Sequence, residues 1–343
     1  MPRARRRGRA LALVVALLIG GEATARLWEA LGASTTTLYE QVVPFRARFK
    51  MKPDREVRVP ERYGTVVYRF NRAGYRDRDH VADSGRRSVV LLGDSVTFGL
   101  GAPQDAIYAA VLQHQLDAWR GPRHEVVNLA IFAYDSGHEL QTLREEGLAY
   151  RPQVVVVQFF MNDLSEPPPG TPAVPPGALQ RLRAARNVYL YRSALARRVH
   201  QGLTRLTYLL IHDVRRTRFP ETLNADEPRG KLAYLAAHPD DATIPAFASL
   251  RAIRDAAAAQ GARVLLLQTP DETQLYTTRY DAIDARVARF CARERIAYLD
   301  ALPTLRAAPR HESIFLDGVH LSPRAHDLIG RRLASELVQR GLL

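Results

Sequence analysis

The segment 88–99, SVVLLGDSVTFG, constrains the fold of this chain more than any other. Its first half is a nearly continuous run of Val and Leu, which predicts a strand buried on both faces, as in a parallel sheet. The turn Gly93-Asp94-Ser95 follows at once. Ligands of open α/β sheets bind beyond the carboxyl ends of such strands, so we expect Ser95 at a functional edge. Because Gly, Asp and Ser are also ordinary turn residues, the tripeptide needs partners elsewhere in the chain.

Short apolar segments and amphipathic segments alternate after residue 88. Four further strands are predicted at 125–129, 153–160, 263–268 and 296–299. Helices are predicted near 105–119, 136–149, 243–260, 280–295 and 323–340. This alternation predicts an α/β domain over residues 88–343, with a parallel sheet covered by helices on both faces.

Two regions flank or interrupt this pattern. Residues 32–87 form a lead-in that is expected to pack on the main domain, and its alternating segment 63–71 is a candidate edge strand. Residues 165–240 break the rhythm with a proline-rich stretch followed by arginine-rich amphipathic stretches. We interpret this interval as a helical cap or lid inserted between the third and fourth strands.

Residues 1–31 have the layout of an export segment. Five arginines within residues 1–9 precede an apolar run at 10–21. These twelve apolar residues are fewer than the ~20 of a spanning helix, which favours a signal peptide cleaved after Ala23-Thr24-Ala25. A helix that continues to Leu31 would instead form a membrane anchor. Both alternatives place the rest of the chain outside the cytoplasm, in the periplasm or at the cell surface.

Charge and cysteine content restrict the classes of partner. The formal net charge is +13, carried almost entirely by arginines that are spread along the chain. No nucleic-acid-binding motif accompanies them, so no nucleic-acid partner is expected. Attraction to an anionic membrane or polysaccharide is compatible with the charge. The single cysteine, Cys291, excludes an intrachain disulfide and indicates a packed core residue. No metal and no cofactor is expected.

Ser95 requires a base before it can act as a nucleophile. A serine hydroxyl is weakly reactive unless a base contacts it and a third group orients that base. The best candidates lie in FLDGVHLSP, residues 315–323, where Asp317 and His320 are three residues apart ahead of a helix. At this spacing the carboxylate is able to contact one ring nitrogen while the other faces Ser95.

Ester cleavage also requires donors for the oxyanion. Asn162 places a side-chain amide just past the end of the third strand. After the second strand, residues 130–140 form a loop whose backbone N–H groups open the next helix. Both strand ends are expected at the same edge of the sheet as Ser95.

Together these segments resemble the SGNH/GDSL hydrolase family. Four blocks appear in the family's order: GDSV at 93–96, NLAIFAYDS at 128–136, FMND at 160–163 and DGVH at 317–320. The lead-in segment NRAGYRD at 71–77 is also similar to a stretch found in exported members. The resemblance covers roughly residues 60–340.

The resemblance implies a three-layer α/β/α, flavodoxin-like domain that hydrolyses an ester through an acyl-enzyme. Ser95 matches the nucleophile, His320 the base and Asp317 its partner. The Asn162 amide and the backbone N–H groups of Ser95 and Ala133 match the oxyanion donors. The implied partner is a small-molecule or glycan ester, and the N-terminal segment adds an expected membrane association.

Two positions depart from the family's pattern. Ala133 stands where the family has glycine, which strains the alanine if the site requires a positive φ. Phe160 replaces the first glycine of the third block and is expected to narrow the mouth of the site. Neither change removes a reacting group.

Other functions are retained as alternatives. An α/β-hydrolase elbow would need glycine where Thr97 stands. A metallophosphoesterase would use Asp94, Asn162, Asp163 and His320, but that set lacks the clustered spacing of a metal signature. An extracytoplasmic O-acyltransferase acting on a glycan would keep the same site and change the acceptor. A degenerate, non-catalytic member would only bind polysaccharide.

Overall fold

The computed structural model describes residues 2–30, 38–46, 48–61, 64–82, 84–120, 123–165, 226–309 and 313–343, with isolated positions between 193 and 203. Most of the interval 165–240, which the sequence analysis assigns to an inserted cap, therefore lies outside the described residues. Its last part is described from residue 226 onward and begins with a helix.

The N-terminal part contains one long helix and two hairpins. Helix α1 spans Pro2–Ala30. After a 3-10 turn at Leu38–Gln41, strands β1 (Val42–Phe45) and β2 (Arg48–Met51) pair antiparallel. Strands β3 (Arg55–Glu61) and β4 (Gly64–Phe70) form a second antiparallel hairpin. The segment predicted as an edge strand, 63–71, thus forms a strand that pairs with β3 and does not join the parallel sheet.

Helix α1 contains the apolar run of the predicted export segment. Its side chains Leu13, Leu17, Leu18 and Ile19 are exposed. Within the described part of the chain, no helix has both the length and the apolar character that a bilayer span requires. The role of residues 1–31 as signal peptide or anchor stays a prediction.

Five parallel strands form the central sheet of the main domain. They are β5 (Arg87–Leu92), β6 (His124–Asn128), β7 (Pro152–Phe159), β8 (Arg263–Gln268) and β9 (Ala297–Asp300). Their order across the sheet is β6-β5-β7-β8-β9, and every neighbouring pair is parallel. This is the flavodoxin-like order: β6 is added on one side of β5, and β7, β8 and β9 are then added in turn on its other side. The predicted strands and fold class are confirmed.

Helices cover both faces of this sheet. In chain order they are α2 (Ser95–Phe98), α3 (Tyr108–Arg120), α4 (Ser136–Glu145), α5 (Asp226–Ala237), α6 (Pro245–Ala258), α7 (Asp281–Glu294), α8 (Leu302–Arg306) and α9 (Pro323–Gln339). Alternate residues of β5 point to opposite sides: Val90 packs in the layer of α4, α6 and α7, and Val89 packs in the layer of α3, α8 and α9. Cys291 is buried in α7, as predicted.

Ion pairs between buried cations of β2 and half-buried carboxylates near the end of α4 attach the lead-in to the main domain. The Arg48 guanidinium of β2 donates to Thr142 Oγ1 at 2.7 Å, to Glu145 at 2.8 Å and to Glu146 at 3.0 Å. Lys50 also pairs with Glu146. Because removal of one partner from a buried pair leaves an uncompensated charge, these contacts hold the first hairpin against the end of α4.

Candidate active site

Ser95 lies at the carboxyl edge of the sheet, as the first residue of α2. The preceding Asp94 caps that helix, since its Oδ1 accepts a hydrogen bond from the Val96 N–H at 2.8 Å. A side chain at Gly93 would put its Cβ 2.1 Å from Thr97 Oγ1, so only glycine fits between the strand and the helix. The local sequence thus forces a tight turn that leaves the Ser95 side chain half-buried beside β5.

Asp317 and His320 lie against Ser95, 222 or more positions later in the chain. His320 Nε2 is 3.0 Å from Ser95 Oγ, and His320 Nδ1 is 2.8 Å from Asp317 Oδ2. The other carboxylate oxygen of Asp317 accepts the backbone N–H groups of Val319 at 2.9 Å and His320 at 2.7 Å. These bonds leave the carboxylate and the imidazole little freedom to rotate, and they form a continuous relay to the serine.

The electrostatics of this relay suit proton transfer. Burial by itself raises the pKa of Asp317, but the hydrogen bond and the charge of His320 outweigh it and lower the pKa to about 2. Burial lowers the pKa of His320, yet the hydrogen bond and charge of Asp317, with the charges of Asp94 and Glu61, raise it above its ordinary value. An ionised Asp317 therefore favours a proton on His320.

Asn162 lies in the 3-10 turn Met161–Ser165, directly after β7. Its Nδ2 is 3.4 Å from Asp94 Oδ2, which brings the amide to the turn that carries Ser95. Asp163 holds this turn in place, because its carboxylate accepts the Phe160 N–H at 3.0 Å and the Ser136 hydroxyl at 3.2 Å. The Asn162 side chain is exposed and available to a substrate.

Ala133 lies in the loop between β6 and α4. The loop is tied to the turn of Ser95 by a hydrogen bond from the Ile131 N–H to the Gly93 carbonyl, at 3.3 Å. Ala133 has φ +59°, the left-handed conformation that favours glycine. The strain expected at this position is therefore present, and the alanine is exposed at the carboxyl edge.

Phe160 does not narrow the mouth of the site. Its side chain is only 2 % exposed and packs in the hydrophobic layer that also contains Phe159 and Met161. The physical reason is that the aromatic ring gains more by burial in the core than by exposure at the strand end. The expectation that Phe160 restricts access is wrong.

Sequence reasoning missed a buried arginine that supports the turn. The Arg76 guanidinium donates to three backbone carbonyls: Phe98 at 3.0 Å, Gly99 at 2.5 Å and Ala102 at 2.6 Å. Burial lowers the pKa of Arg76 to about 10, so it stays charged at neutral pH. The cation thereby closes the C-terminal end of α2, where carbonyl oxygens concentrate negative charge. The sequence feature that could have indicated this arginine is the segment NRAGYRD, in which Arg76 is the last arginine.

Helix α5, the last part of the predicted cap 165–240, contacts the Asn162 turn as well. Lys231 of α5 donates from Nζ to the Asn162 carbonyl oxygen at 3.2 Å. Among the described residues, no group of three or more His, Cys, Asp or Glu side chains is arranged to hold a metal ion. The predicted site residues Ser95, Asp317 and His320 meet in a hydrogen-bonded relay, and the Asn162 and Ala133 segments are both bonded to the Ser95 turn.

Comparison with protein families shows to which family the chain belongs. Residues 91–328, more than half of its length, match the GDSL-like lipase/acylhydrolase family. The chain belongs to this family. It is an SGNH ester hydrolase, and the match begins inside β5 and ends inside α9.

The solved structures to which this chain is similar are remote from it in sequence. A lipase/acylhydrolase from Enterococcus faecalis is 16% identical, with 74% of this chain and 96% of that chain covered and a TM-score of 0.43. The esterase EstA from Pseudoalteromonas sp. is 15% identical, with coverages of 74% and 97% and a TM-score of 0.41. A catalytic mutant of the acetylxylan esterase Axe2 from Geobacillus stearothermophilus is 13% identical, with coverages of 75% and 96% and a TM-score of 0.44. No curated protein matches the sequence at a significant level.

Proposed function

We propose that this SGNH hydrolase cleaves carboxylic esters through an acyl-enzyme on Ser95. The observation that carries the proposal is the relay from Asp317 through His320 to Ser95, with distances of 2.8 Å and 3.0 Å. In this mechanism Ser95 Oγ attacks the acyl carbon while its proton passes to His320 Nε2. Asp317 keeps the imidazole in the required tautomer and stabilises the imidazolium.

The oxyanion would be held by three donors. They are the Asn162 Nδ2 and the backbone N–H groups of Ser95 and Ala133. On collapse of the tetrahedral intermediate, the bond to the alcohol oxygen breaks and His320 protonates the leaving alcohol. His320 then takes a proton from water, the hydroxide attacks the acyl carbon, and the proton returns to Ser95 as the acid is released.

The proposed substrates are small-molecule or glycan esters. Transfer of the acyl group to a sugar hydroxyl is the alternative outcome of the same acyl-enzyme. The contact of Lys231 with the Asn162 turn supports it, because it brings α5, the last part of the predicted cap 165–240, next to that turn. Addition of a sugar acceptor separates the two reactions: hydrolysis yields free acid, and transfer yields an acyl-glycan in its place.

The decisive experiment is ester hydrolysis by the full chain and its Ser95→Ala variant. Short p-nitrophenyl esters are the substrates, and Ser84→Ala, at an exposed serine outside the site, is the control. Loss of the nucleophile is expected to lower kcat by about 10⁴- to 10⁶-fold, while the control keeps its rate. A fluorophosphonate should label the native chain and fail to label the variant. Hydrolysis that survives Ser95→Ala would refute the proposal.

We also propose that the catalytic domain acts outside the cytoplasm, with residues 1–31 as signal peptide or membrane anchor. Support comes from the arginines of residues 1–9 and from the exposed apolar side chains of α1, such as Leu17 and Ile19. An alkaline phosphatase fused after residue 31 should be active in a bacterial host. An inactive but intact fusion would contradict export.

A further inference from the structure

The hairpin β3–β4 reaches the candidate active site although it lies outside the residues that match the family. The Tyr68 hydroxyl donates to Glu61 Oε1 at 2.8 Å and accepts the Gly101 N–H at 2.9 Å. Gly101 in turn lies against Leu316, since an added Cβ would be 2.8 Å from Leu316 Cδ1. Leu316 adjoins Asp317. Glu61 also interacts electrostatically with both His320 and Asp317, so these contacts place it near the carboxylate and the base.

We propose that Glu61 is a specificity-determining residue of the active site, whose carboxylate disfavours esters with a negatively charged acyl group and favours neutral ones. The inference rests on the proposed ester hydrolysis at Ser95 and specifies the substrates of that reaction. It assigns a function to the second hairpin of the lead-in.

The Tyr68 hydroxyl donates its proton to the Glu61 carboxylate, which acts as the acceptor. A phenol has one proton to donate, and the Gly101 N–H already occupies its acceptor side, so the proton points to Glu61. Tyr68 is fully buried, and the Arg76 guanidinium lies 4.3 Å from the centre of its ring. The aromatic ring is thus packed on the same buried cation that closes α2. Glu61 itself is half-buried.

Negative groups outnumber positive ones around the base. His320 interacts with Asp317, Asp94 and Glu61, and also with His326, whose pKa burial lowers to about 3 so that it is neutral. Burial has the largest effect on Glu61 and raises its pKa, and the charge of Asp317 raises it further; the Tyr68 hydrogen bond and the charges of His320 and Arg76 lower it without reversing that shift. Asp317 and Glu61 both interact electrostatically with the imidazole, and a negative charge on Glu61 adds to that of Asp317 and opposes an anionic substrate bound beside His320.

The test compares two esters that differ in charge and little in size: p-nitrophenyl hemisuccinate, which is anionic, and p-nitrophenyl valerate, which is neutral. The ratio of kcat/KM for the neutral ester to that for the anionic ester is measured in the full chain. Glu61→Gln is expected to lower this ratio by about three- to tenfold, because it removes one negative charge that interacts with the base beside which the substrate would bind. Glu61→Asp keeps the charge and should keep the ratio.

A matched control is available on the same hairpin. Glu56 is exposed and pairs with Arg69, away from the site. Glu56→Gln removes the same charge from β3 and is expected to leave the ratio unchanged. A second readout is the pH profile of kcat/KM for the neutral ester: without the negative charge of Glu61 the pKa of His320 falls, so Glu61→Gln should move the acidic limb to lower pH by several tenths of a unit.

The possible results separate this inference from the proposed function. If hydrolysis does not depend on Ser95, the proposed function fails and the inference falls with it. If hydrolysis depends on Ser95 but Glu61→Gln leaves the ratio unchanged, or Glu56→Gln changes it equally, the inference alone is refuted. Should Glu61→Gln fail to fold, Glu61→Ser removes the same charge with a smaller side chain, and an unchanged ratio in that variant refutes the inference.

Discussion

Replacement of Ala133 by glycine tests whether the loop after β6 is strained at the oxyanion site. Ala133 has φ +59°. A left-handed conformation costs an L-residue roughly 1–2 kcal/mol, while glycine loses about 0.5–1 kcal/mol more conformational entropy on folding. The net expectation for Ala133→Gly is a gain of about 0.5–1 kcal/mol in the free energy of unfolding. For a domain of this size, that corresponds to a rise in Tm of about 1–4 °C.

Arg295→Gly is the matched control for this prediction. Arg295 ends α7 with φ +56°, is exposed, and lies far along the chain from the Ser95 turn. It should give a similar gain in stability with no change in kcat. Ala133→Gly should in addition raise kcat/KM for longer acyl esters, because it removes an exposed methyl group beside the proposed oxyanion donor.

Thermal and urea unfolding provide the stability measurement, and a series of p-nitrophenyl esters from acetate to octanoate provides the activity. The prediction fails if Ala133→Gly lowers Tm while Arg295→Gly raises it, since the left-handed alanine would then not be strained. An equal gain in kcat/KM in both variants would show that the methyl group does not limit the acyl chain.

Two further predictions concern the proposed machinery. Asn162→Ala should lower kcat by about 10²- to 10³-fold and leave KM nearly unchanged, because the amide acts on the oxyanion; a rise in KM at constant kcat, measured by steady-state kinetics, would contradict this role. For the native chain, kcat/KM should rise with pH through a pKa above 6.5, since His320 is raised above that value and must be neutral to accept the Ser95 proton. A plateau extending down to pH 5 would exclude His320 as the base.

Local pattern was sufficient for the elements of the main domain. The strands are predicted from runs of buried Val and Leu, and α9 from Pro323 in its first turn, because these signals depend only on neighbouring residues. The relay was also predictable, because Asp317 and His320 are close in sequence and the order of blocks pointed to Ser95. The buried position of Phe160 could not be predicted. A phenylalanine at a strand end is equally suited to the hydrophobic core and to the entrance of the active site, and the residues packed around it determine which position it takes.

The strand pairing and the long-range contacts of the lead-in do not follow from the sequence pattern. Alternation identified the strand at 63–71, but its pairing with β3 depends on which edge is available, and periodicity carries no such information. The contacts of Arg76 with Phe98 and Gly99 join segments more than twenty residues apart. Glu61 reaches the site through Tyr68, whose hydroxyl is held by Gly101. No short-range rule predicts a contact of this kind.

The Gly93-Asp94-Ser95 turn shows which features follow from the sequence and which depend on the tertiary structure. The sequence alone determined that a buried strand ends there in a tight turn, because the run of Val and Leu stops at Gly93 and Gly, Asp and Ser are turn and N-cap residues. It also determined the family and the candidates for base and oxyanion donor. Only the tertiary structure decided that Ala133 is left-handed, that Arg76 closes the turn and that Tyr68 binds Glu61. These features depend on long-range packing, in which segments distant along the chain set one another's conformation and charge.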